Sequence, residues 1–171
     1  GPNVLNRLRI GLARDGLGEA GCVLIDCCPM LGVLSLSAIF AAERVLVPVS
    51  ADYLAVKGAM QVDRTLNALS RVVGRRIERR YVITRFDGRR RMSWDILETF
   101  KARFGADLAE SRISENVSIA ESPFRERDVF AHAPASRGAA DYAALFEELE
   151  ATGFLGEAPG PVQREPLAAV A

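Results

Sequence analysis

An acidic residue at the end of a short apolar run is the first candidate for chemistry in this chain. The run Val23-Leu24-Ile25 ends on Asp26, and Cys27-Cys28-Pro29 turns the chain directly afterwards. The pattern predicts a buried strand over CVLID, and open α/β sheets bind ligands at the C-terminal ends of their strands. A carboxylate buried there needs a cation or donors to stay ionised. The alternative interpretation is that Asp26 only caps the following turn.

An apolar strand that ends on Asp is also the pattern of a Walker-B element, whose Asp helps to hold Mg²⁺ beside nucleotide phosphates. The loop that usually accompanies it, G-x-x-x-x-G-K-[ST], does not occur in the 171 residues. The sequence therefore carries one half of a nucleotide site. We expect that the chain as given does not hydrolyse ATP appreciably.

Composition and cysteine usage are those of an ordinary soluble domain. Hydrophobic residues make up 49% and charged residues 26%, and no run of 18 apolar residues or signal-peptide pattern occurs, which predicts a cytoplasmic protein without membrane contact. Cys22, Cys27 and Cys28 are clustered, and the single histidine, His132, is remote from them. We therefore expect small buried thiols rather than disulfides or a metal site, and a structural or surface role for His132.

Arginine dominates the basic residues, since 20 of the 22 are Arg. Nine of these fall between Arg71 and Arg91, where only Glu78 and Asp87 oppose them. Such a local excess can attract anions even on a neutral protein. The alternative is a solvated face without a partner.

Apolar patterns place helices between short strands. They predict strands at 22–26, 44–50, 80–86 and 107–113, and helices at 3–15, 33–42, 56–73, 93–104 and 136–152. Pro48 favours an edge position or a strand terminus, and Ser93 is the predicted N-cap of its helix. Trp94 is predicted to be a helix packing residue rather than a stacking platform. The alternation predicts an α/β fold with a mainly parallel sheet flanked by helices. Residues 1–153 form the predicted domain, and 154–171 a flexible Pro- and Ala-rich tail.

Two blocks in this order resemble the ParA/MinD family of partitioning ATPases, particularly its ParA branch. The first, VLIDCCPMLGVLSLSAIFAAERVLVPVSADYLAVKGAMQV, is similar to the family's Asp-x-Pro-Pro strand and its aromatic-x-Ala-x-x-Gly helix start, matched at Tyr53, Ala55 and Gly58. The second is similar to its Asn-Val-x-Leu-x-Glu-Ala-Pro and Ser-x-Gly-Ala-x-x-Tyr segments, here ENVSIAESP and SRGAADY. The resemblance implies a P-loop-NTPase-like fold of the deviant Walker type whose N-terminal βαβ portion, with the phosphate loop, lies outside this sequence.

The resemblance also implies site residues. Asp26 would lie in the second shell of Mg²⁺, and the nucleotide would contact the turn after Asp26, the end of the third strand and the Asn-Val block: Pro29, Thr84, Arg85, Asp87 and Asn116. Cys28 replaces a common proline, and Ile113-Ser114-Glu115 replaces Ile-Pro-Arg. From the residues alone, 84–87 is equally a strand-end loop with a solvated Arg and an Asp-Gly turn.

What the family does is implied in the same way. ATP and Mg²⁺ would drive formation of a homodimer that binds DNA without sequence preference at the nucleoid, and a ParB-like activator would trigger hydrolysis. Candidate phosphate contacts are Arg89, Arg90, Arg91, Arg125 and Arg127. Two alternatives remain: a non-catalytic, degenerate ParA-like module that binds DNA or a protein, and an unrelated α/β enzyme that uses Asp26.

Overall fold

The computed structural model describes residues 3–17, 22–28 and 30–156. The described residues divide into two compact units, one containing those up to Ala41 with 155–156, the other covering Ala42–Phe154. The helices are α1 (Asn3–Arg14), α2 (Val33–Ala41), α3 (Tyr53–Val73), α4 (Arg91–Phe104), α5 (Val117–Glu121), α6 (Val129–His132) and α7 (Arg137–Ala151), and the strands are β1 (Arg44–Ser50), β2 (Glu78–Phe86) and β3 (Leu108–Ser114).

The first unit contains α1 and α2, which pack against each other. The segment 22–28 between them is not a strand, and Leu24 within it is 90% exposed. The predicted strand over CVLID is therefore wrong for this structure, because none of the described residues provides a ladder of hydrogen bonds for it. The expectation of buried thiols is also wrong, since all three cysteines in this segment are exposed.

The second unit is built on a parallel sheet in the order β1-β2-β3. β1 pairs with β2 in unbroken register from Arg44↔Glu78 to Ser50↔Thr84. Within the described part of the chain, β1 lies at an edge of this sheet, as Pro48 predicts. The α/β prediction is confirmed: helices alternate with parallel strands as the apolar pattern indicates.

The core lies where α3 and α4 pack against the sheet. Its members share almost complete burial of an apolar side chain, and β2, as the central strand, contributes the most buried of them. The core residues are Val49, Ala51, Val56, Ala59, Tyr81, Ile83, Phe86, Ile96, Leu97, Phe100 and Leu108.

Helix boundaries follow their caps. α3 begins at Tyr53, earlier than predicted, because the Asp52 carboxylate accepts the Ala55 N–H at 2.8 Å. Gly74 ends α3 with φ +71°, and Gly105 ends α4. The predicted N-cap at Ser93 is wrong: α4 already begins at Arg91, and Ser93 lies inside the helix, 1% exposed.

α7 covers the backbone of β3 with carboxylates. Tyr81 and Ile83 are two positions apart on β2, but their partners Leu108 and Arg112 are four positions apart, so β3 bulges there. The N–H groups of residues 110 and 111 in this bulge donate to the two oxygens of Glu148 at 2.9 and 2.7 Å. Asp141 accepts the Ser114 N–H at 2.8 Å. Two carboxylates of α7 thus accept hydrogen bonds from three backbone N–H groups of β3.

We predict that Glu148→Gln lowers the free energy of unfolding by about 1–3 kcal/mol, because one of its two backbone donors loses its acceptor. Burial raises the pKa of Glu148, but the hydrogen bonds from Ser111 and Glu110 and the charge of Arg80 outweigh it, so the pKa lies below its ordinary 4.5. Because the pKa of Glu148 is lower in the folded than in the unfolded protein, its carboxylate stabilises the fold at pH values above the unfolded-state pKa. That stabilisation is lost as the pH falls through the folded-state pKa.

The measurement is urea unfolding of both proteins at pH 7 and below pH 4. The stability difference should shrink at the lower pH as the wild-type carboxylate protonates. Glu147→Gln, at an exposed neighbouring position, is the matched control and should change stability by less than about 0.5 kcal/mol. Equal effects of the two substitutions would contradict the role given to Glu148.

Candidate functional site

Thr84, Arg85, Asp87 and Asn116, four of the five predicted nucleotide contacts, lie at the carboxyl edge of β2 and β3. The Glu115 N–H donates to the Phe86 carbonyl at 3.1 Å, which holds the two strand ends together. Arg85 has φ +51°, a left-handed conformation that costs a non-glycine residue roughly 1 kcal/mol. Strained backbone of this kind persists where neighbouring contacts hold it, and it is frequent at functional sites.

Asp87 organises the arginines that follow it. Its carboxylate accepts two hydrogen bonds from the Arg89 guanidinium, at 2.9 and 3.0 Å, and one from the Arg89 backbone N–H. Arg90 Nε also lies 3.2 Å from Asp87 Oδ2. The Asp87 side chain is only 9% exposed, and these donors, led by the Arg89 side chain, lower its pKa to about 2. Asp87 is therefore an anion at every physiological pH.

Glu115 connects the two strand ends electrostatically. Its carboxylate lies 3.3 Å from Arg85 Nη2 and 3.7 Å from Arg90 Nη2. It occupies the position where the ParA-like pattern has arginine, so the site gains a counter-charge there. The sequence interpretation recorded that departure but did not assign Glu115 a partner. The sequence shows an acid beside the Asn-Val block, but its partners Arg85 and Arg90 are far from it along the chain, so no local pattern indicates the pairing.

Asn116 has one polar atom engaged and one available. Its Oδ1 accepts the Ser118 N–H at 2.9 Å and so caps α5. Neither the Asn116 amide nitrogen nor the Thr84 hydroxyl makes a hydrogen bond to another residue in the described ranges. Both are therefore free to bind a polar group of a ligand at this edge.

Aromatic and cationic side chains pack against the end of β2 and the loop that follows it. Trp94 donates through Nε1 to the Gly88 carbonyl at 2.9 Å and meets the Phe86 ring edge-on at 5.1 Å. The Arg112 guanidinium lies 5.2 Å from the Phe86 ring centroid. These contacts fit the packing role predicted for Trp94, which holds the 84–90 backbone in place.

The remaining predicted site residues are more scattered. Asp26 lies in the exposed segment of the first unit, and Pro29 lies outside the described residues. Arg91 is 94% exposed and 3.9 Å from Asp95. Arg125, over the Phe124 ring, and Arg127 are exposed. Across residues 3–17, 22–28 and 30–156, no group of three or more His, Cys, Asp or Glu side chains could hold a metal ion.

Comparison with known proteins identifies relatives along most of the chain. A family model described as an AAA domain, AAA_31, matches residues 19–78. The chromosome-partitioning ATPase Soj of Thermus thermophilus is 35% identical over 141 residues, which is 81% of this chain and 57% of that protein. The sporulation initiation inhibitor protein Soj of Bacillus subtilis is 30% identical over 154 residues, 89% of this chain and 61% of that protein.

The chain is a member of the ParA/MinD family. It spans less than two-thirds of the length of either Soj relative. The resemblance inferred from the Asp26 and Asn116 blocks is thereby confirmed.

Solved structures confirm the fold of this ParA/MinD chain. The cell division ATPase MinD of Pyrococcus furiosus superposes with a TM-score of 0.64 at 20% identity, covering 85% of this chain and 58% of that one. Cobyrinic acid a,c-diamide synthase of Mycobacterium smegmatis, solved with ADP and magnesium, superposes with a TM-score of 0.66 at 24% identity, covering 95% and 58%. Among the described residues, no helix is long and apolar enough to cross a membrane.

Proposed function

We propose that this chain works in a ParA-like partitioning protein that segregates DNA or another cargo. In that proposal, ATP and Mg²⁺ drive homodimerisation, the dimer binds DNA without sequence preference, and a ParB-like activator stimulates hydrolysis in the cytoplasm at the nucleoid. The observation that carries it is the 35% identity to a chromosome-partitioning ATPase over 81% of this chain. The ordered carboxyl edge of β2 and β3 supports it, because ligands of open α/β sheets bind at such edges.

The donor chemistry of the described residues fits such a ligand in part. Mg²⁺ prefers carboxylate and water oxygens, which suits Asp26 in its second shell. A nucleotide base offers donors and acceptors that the Thr84 hydroxyl and the Asn116 amide can meet. When bound, ATP with Mg²⁺ supplies the phosphoryl group to be transferred to water. Pro29 belongs to the proposed contact set by resemblance.

Arg85 and Asp87 have different proposed tasks at this edge. Arg85 is 70% exposed on its side chain and can turn from Glu115 towards a ligand. Asp87 is fully engaged by Arg89 and Arg90, so we propose that it positions the loop rather than contacting the nucleotide. Asp87→Asn should therefore weaken ligand binding by releasing the loop.

We predict that the 171-residue chain releases phosphate from ATP no faster than its Asp26→Ala variant, because the sequence contains no G-x-x-x-x-G-K-[ST] loop to cradle the phosphates. The measurement is steady-state phosphate release with Mg²⁺, and circular dichroism serves as the folding control. A rate for the chain well above that of the variant would contradict the prediction.

DNA binding tests the proposed function itself. Fluorescence anisotropy of a labelled duplex, measured at about 50 mM and 200 mM salt with and without ATP and Mg²⁺, should show binding that weakens steeply with salt. Binding that needs ATP favours the nucleotide-controlled switch, and binding without ATP favours the non-catalytic module. A chain that binds no duplex even at the lower salt would contradict DNA binding in either form.

A further inference from the structure

The exposed face of α3 carries three evenly spaced cations. Lys57, Arg64 and Arg71 are all exposed, and each follows the previous one by seven residues. Seven residues fall only about 20° short of two helical turns, so the three side chains share one side of the helix. They cover about 21 Å along its axis. We call these three residues the α3 stripe.

No negative charge opposes the α3 stripe. Asp63 is the one carboxylate in the sequence of α3, and it is turned inward, where Arg79 Nη1 lies 2.8 Å from Oδ1. In the described part of the chain, no carboxylate oxygen lies within 4.0 Å of Lys57, Arg64 or Arg71, although ion pairs engage many other arginines. Lys57 rests over the Tyr53 ring, with Nζ 5.2 Å from its centroid. The three charges are therefore free to bind an external anion.

The loop after β2 differs in this respect. Arg89 and Arg90 are tied to Asp87, and Arg90 and Arg85 lie beside Glu115. Three guanidinium groups thus face two carboxylates, which leaves little net charge at this edge. A phosphate that bound Arg89 would also approach the Asp87 carboxylate, so repulsion would offset much of the attraction.

We propose that the α3 stripe binds the phosphate backbone of double-stranded DNA. The inference rests on the proposed function, which supplies the DNA, and moves the contact surface from the 89–91 run to α3. Duplex DNA carries one charge per 1.7 Å, so a 21 Å stripe passes roughly 12 phosphates. Gln61 and Ala68, exposed between the cations, provide no large apolar anchor such as a protein interface uses, and the exposed Leu54 and Val72 lie outside the span of the three cations. A span of charge without apolar side chains between the cations suits contact with the DNA backbone, which requires no base recognition.

The test removes the stripe and compares it with an equal loss of charge elsewhere. Lys57→Gln/Arg64→Gln/Arg71→Gln should weaken binding of a labelled 30-base-pair duplex by about tenfold or more and reduce the slope of log K against log salt by about 3. Arg7→Gln/Arg9→Gln/Arg14→Gln on α1 is the charge-matched control, since these three side chains are exposed and none belongs to a proposed contact. It should bind within about twofold of the wild type.

The possible outcomes separate the inference from the proposed function. Loss of binding in the control with normal binding in the stripe variant overturns the inference and leaves DNA binding intact. Absence of binding by the wild type at low salt overturns the proposed function, and the inference with it. A third arm adds poly-glutamate at equal charge concentration. If poly-glutamate displaced the labelled duplex as effectively as unlabelled duplex does, the stripe would be a binding surface for an acidic protein, and its assignment to DNA would be overturned.

Discussion

Replacement of Asp63 by alanine is expected to lower the free energy of unfolding by about 3–5 kcal/mol, because it removes the hydrogen-bonded carboxylate of a buried guanidinium. Arg79 is 5% exposed, and its Nη1 donates to Asp63 Oδ1 at 2.8 Å. The Tyr81 hydroxyl also lies 3.3 Å from that oxygen. With Asp63 removed, Arg79 keeps a hydrogen bond to the neutral Asn67 Oδ1, 2.7 Å from Nη2, and a longer ion pair with Asp107 Oδ2, 3.9 Å from Nε.

Chemical unfolding followed by circular dichroism measures this effect. Asp95→Ala, which removes a carboxylate 68% exposed on α4, is the control and should cost less than about 0.5 kcal/mol. Combining Asp63→Ala with Arg79→Met should recover part of the loss, since the stranded charge is removed as well. An Asp63→Ala protein within about 1 kcal/mol of the wild type would show that water reaches Arg79.

The second large effect is expected at Gly138, in the first turn of α7. A Cβ there would lie 2.6 Å from Ile119 Cγ1 and 2.8 Å from its Cδ1, closer than van der Waals contact allows. Gly→Ala inside a helix ordinarily stabilises by up to about 1 kcal/mol. Here we expect Gly138→Ala to destabilise by about 1–3 kcal/mol, because the Ile119 side chain, or α5 with it, must shift away from α7.

Two variants isolate the clash at Gly138. Gly58→Ala places a methyl group on α3 where no atom lies within 4 Å, so the same substitution should be neutral or stabilising there. Ile119→Ala in the Gly138→Ala background removes the obstructing atoms and should cost less than Ile119→Ala costs alone. Thermal or urea unfolding of the wild type, the three single variants and the double variant measures these differences. Stabilisation by Gly138→Ala would contradict the close approach.

The regular elements of the second unit could be predicted from local pattern. Short apolar runs gave β1, β2 and β3, and helical spacing ended by Gly74 and Gly105 gave α3 and α4. Boundaries were less predictable. Ser93 has the chemistry of an N-cap, but its burial inside α4 depends on how that helix packs on the sheet. Capping propensity does not contain that tertiary information.

The predicted strand over residues 22–26 shows a second limit. Its apolar run has strand propensity, yet a strand exists only where another backbone pairs with it. Propensity is local, whereas the partner is set by the rest of the fold. The three cysteines follow the same logic, because their burial was inferred from a strand that does not form in this structure.

At the candidate site, the sequence located the strand ends but not their electrostatics. The family resemblance implied that Thr84, Arg85, Asp87 and Asn116 contact one nucleotide, and they lie at one edge because parallel strands end on the same side. The pairing of Glu115 with Arg85 and Arg90 joins residues about 25 to 30 positions apart, so no local pattern could reveal it. Composition alone therefore does not show how far Asp87 and Glu115 compensate the charge of Arg89 and Arg90.

The carboxylates that α7 places against β3 have a consequence for assembly. With the N–H groups of Glu110, Ser111 and Ser114 already bound, an incoming strand finds few donors along that border. A strand that paired with β3, whether from other parts of a longer polypeptide or from a foreign chain, would therefore have to displace these carboxylates first. The helix that satisfies the bulge thus also protects this border of the sheet from strand addition.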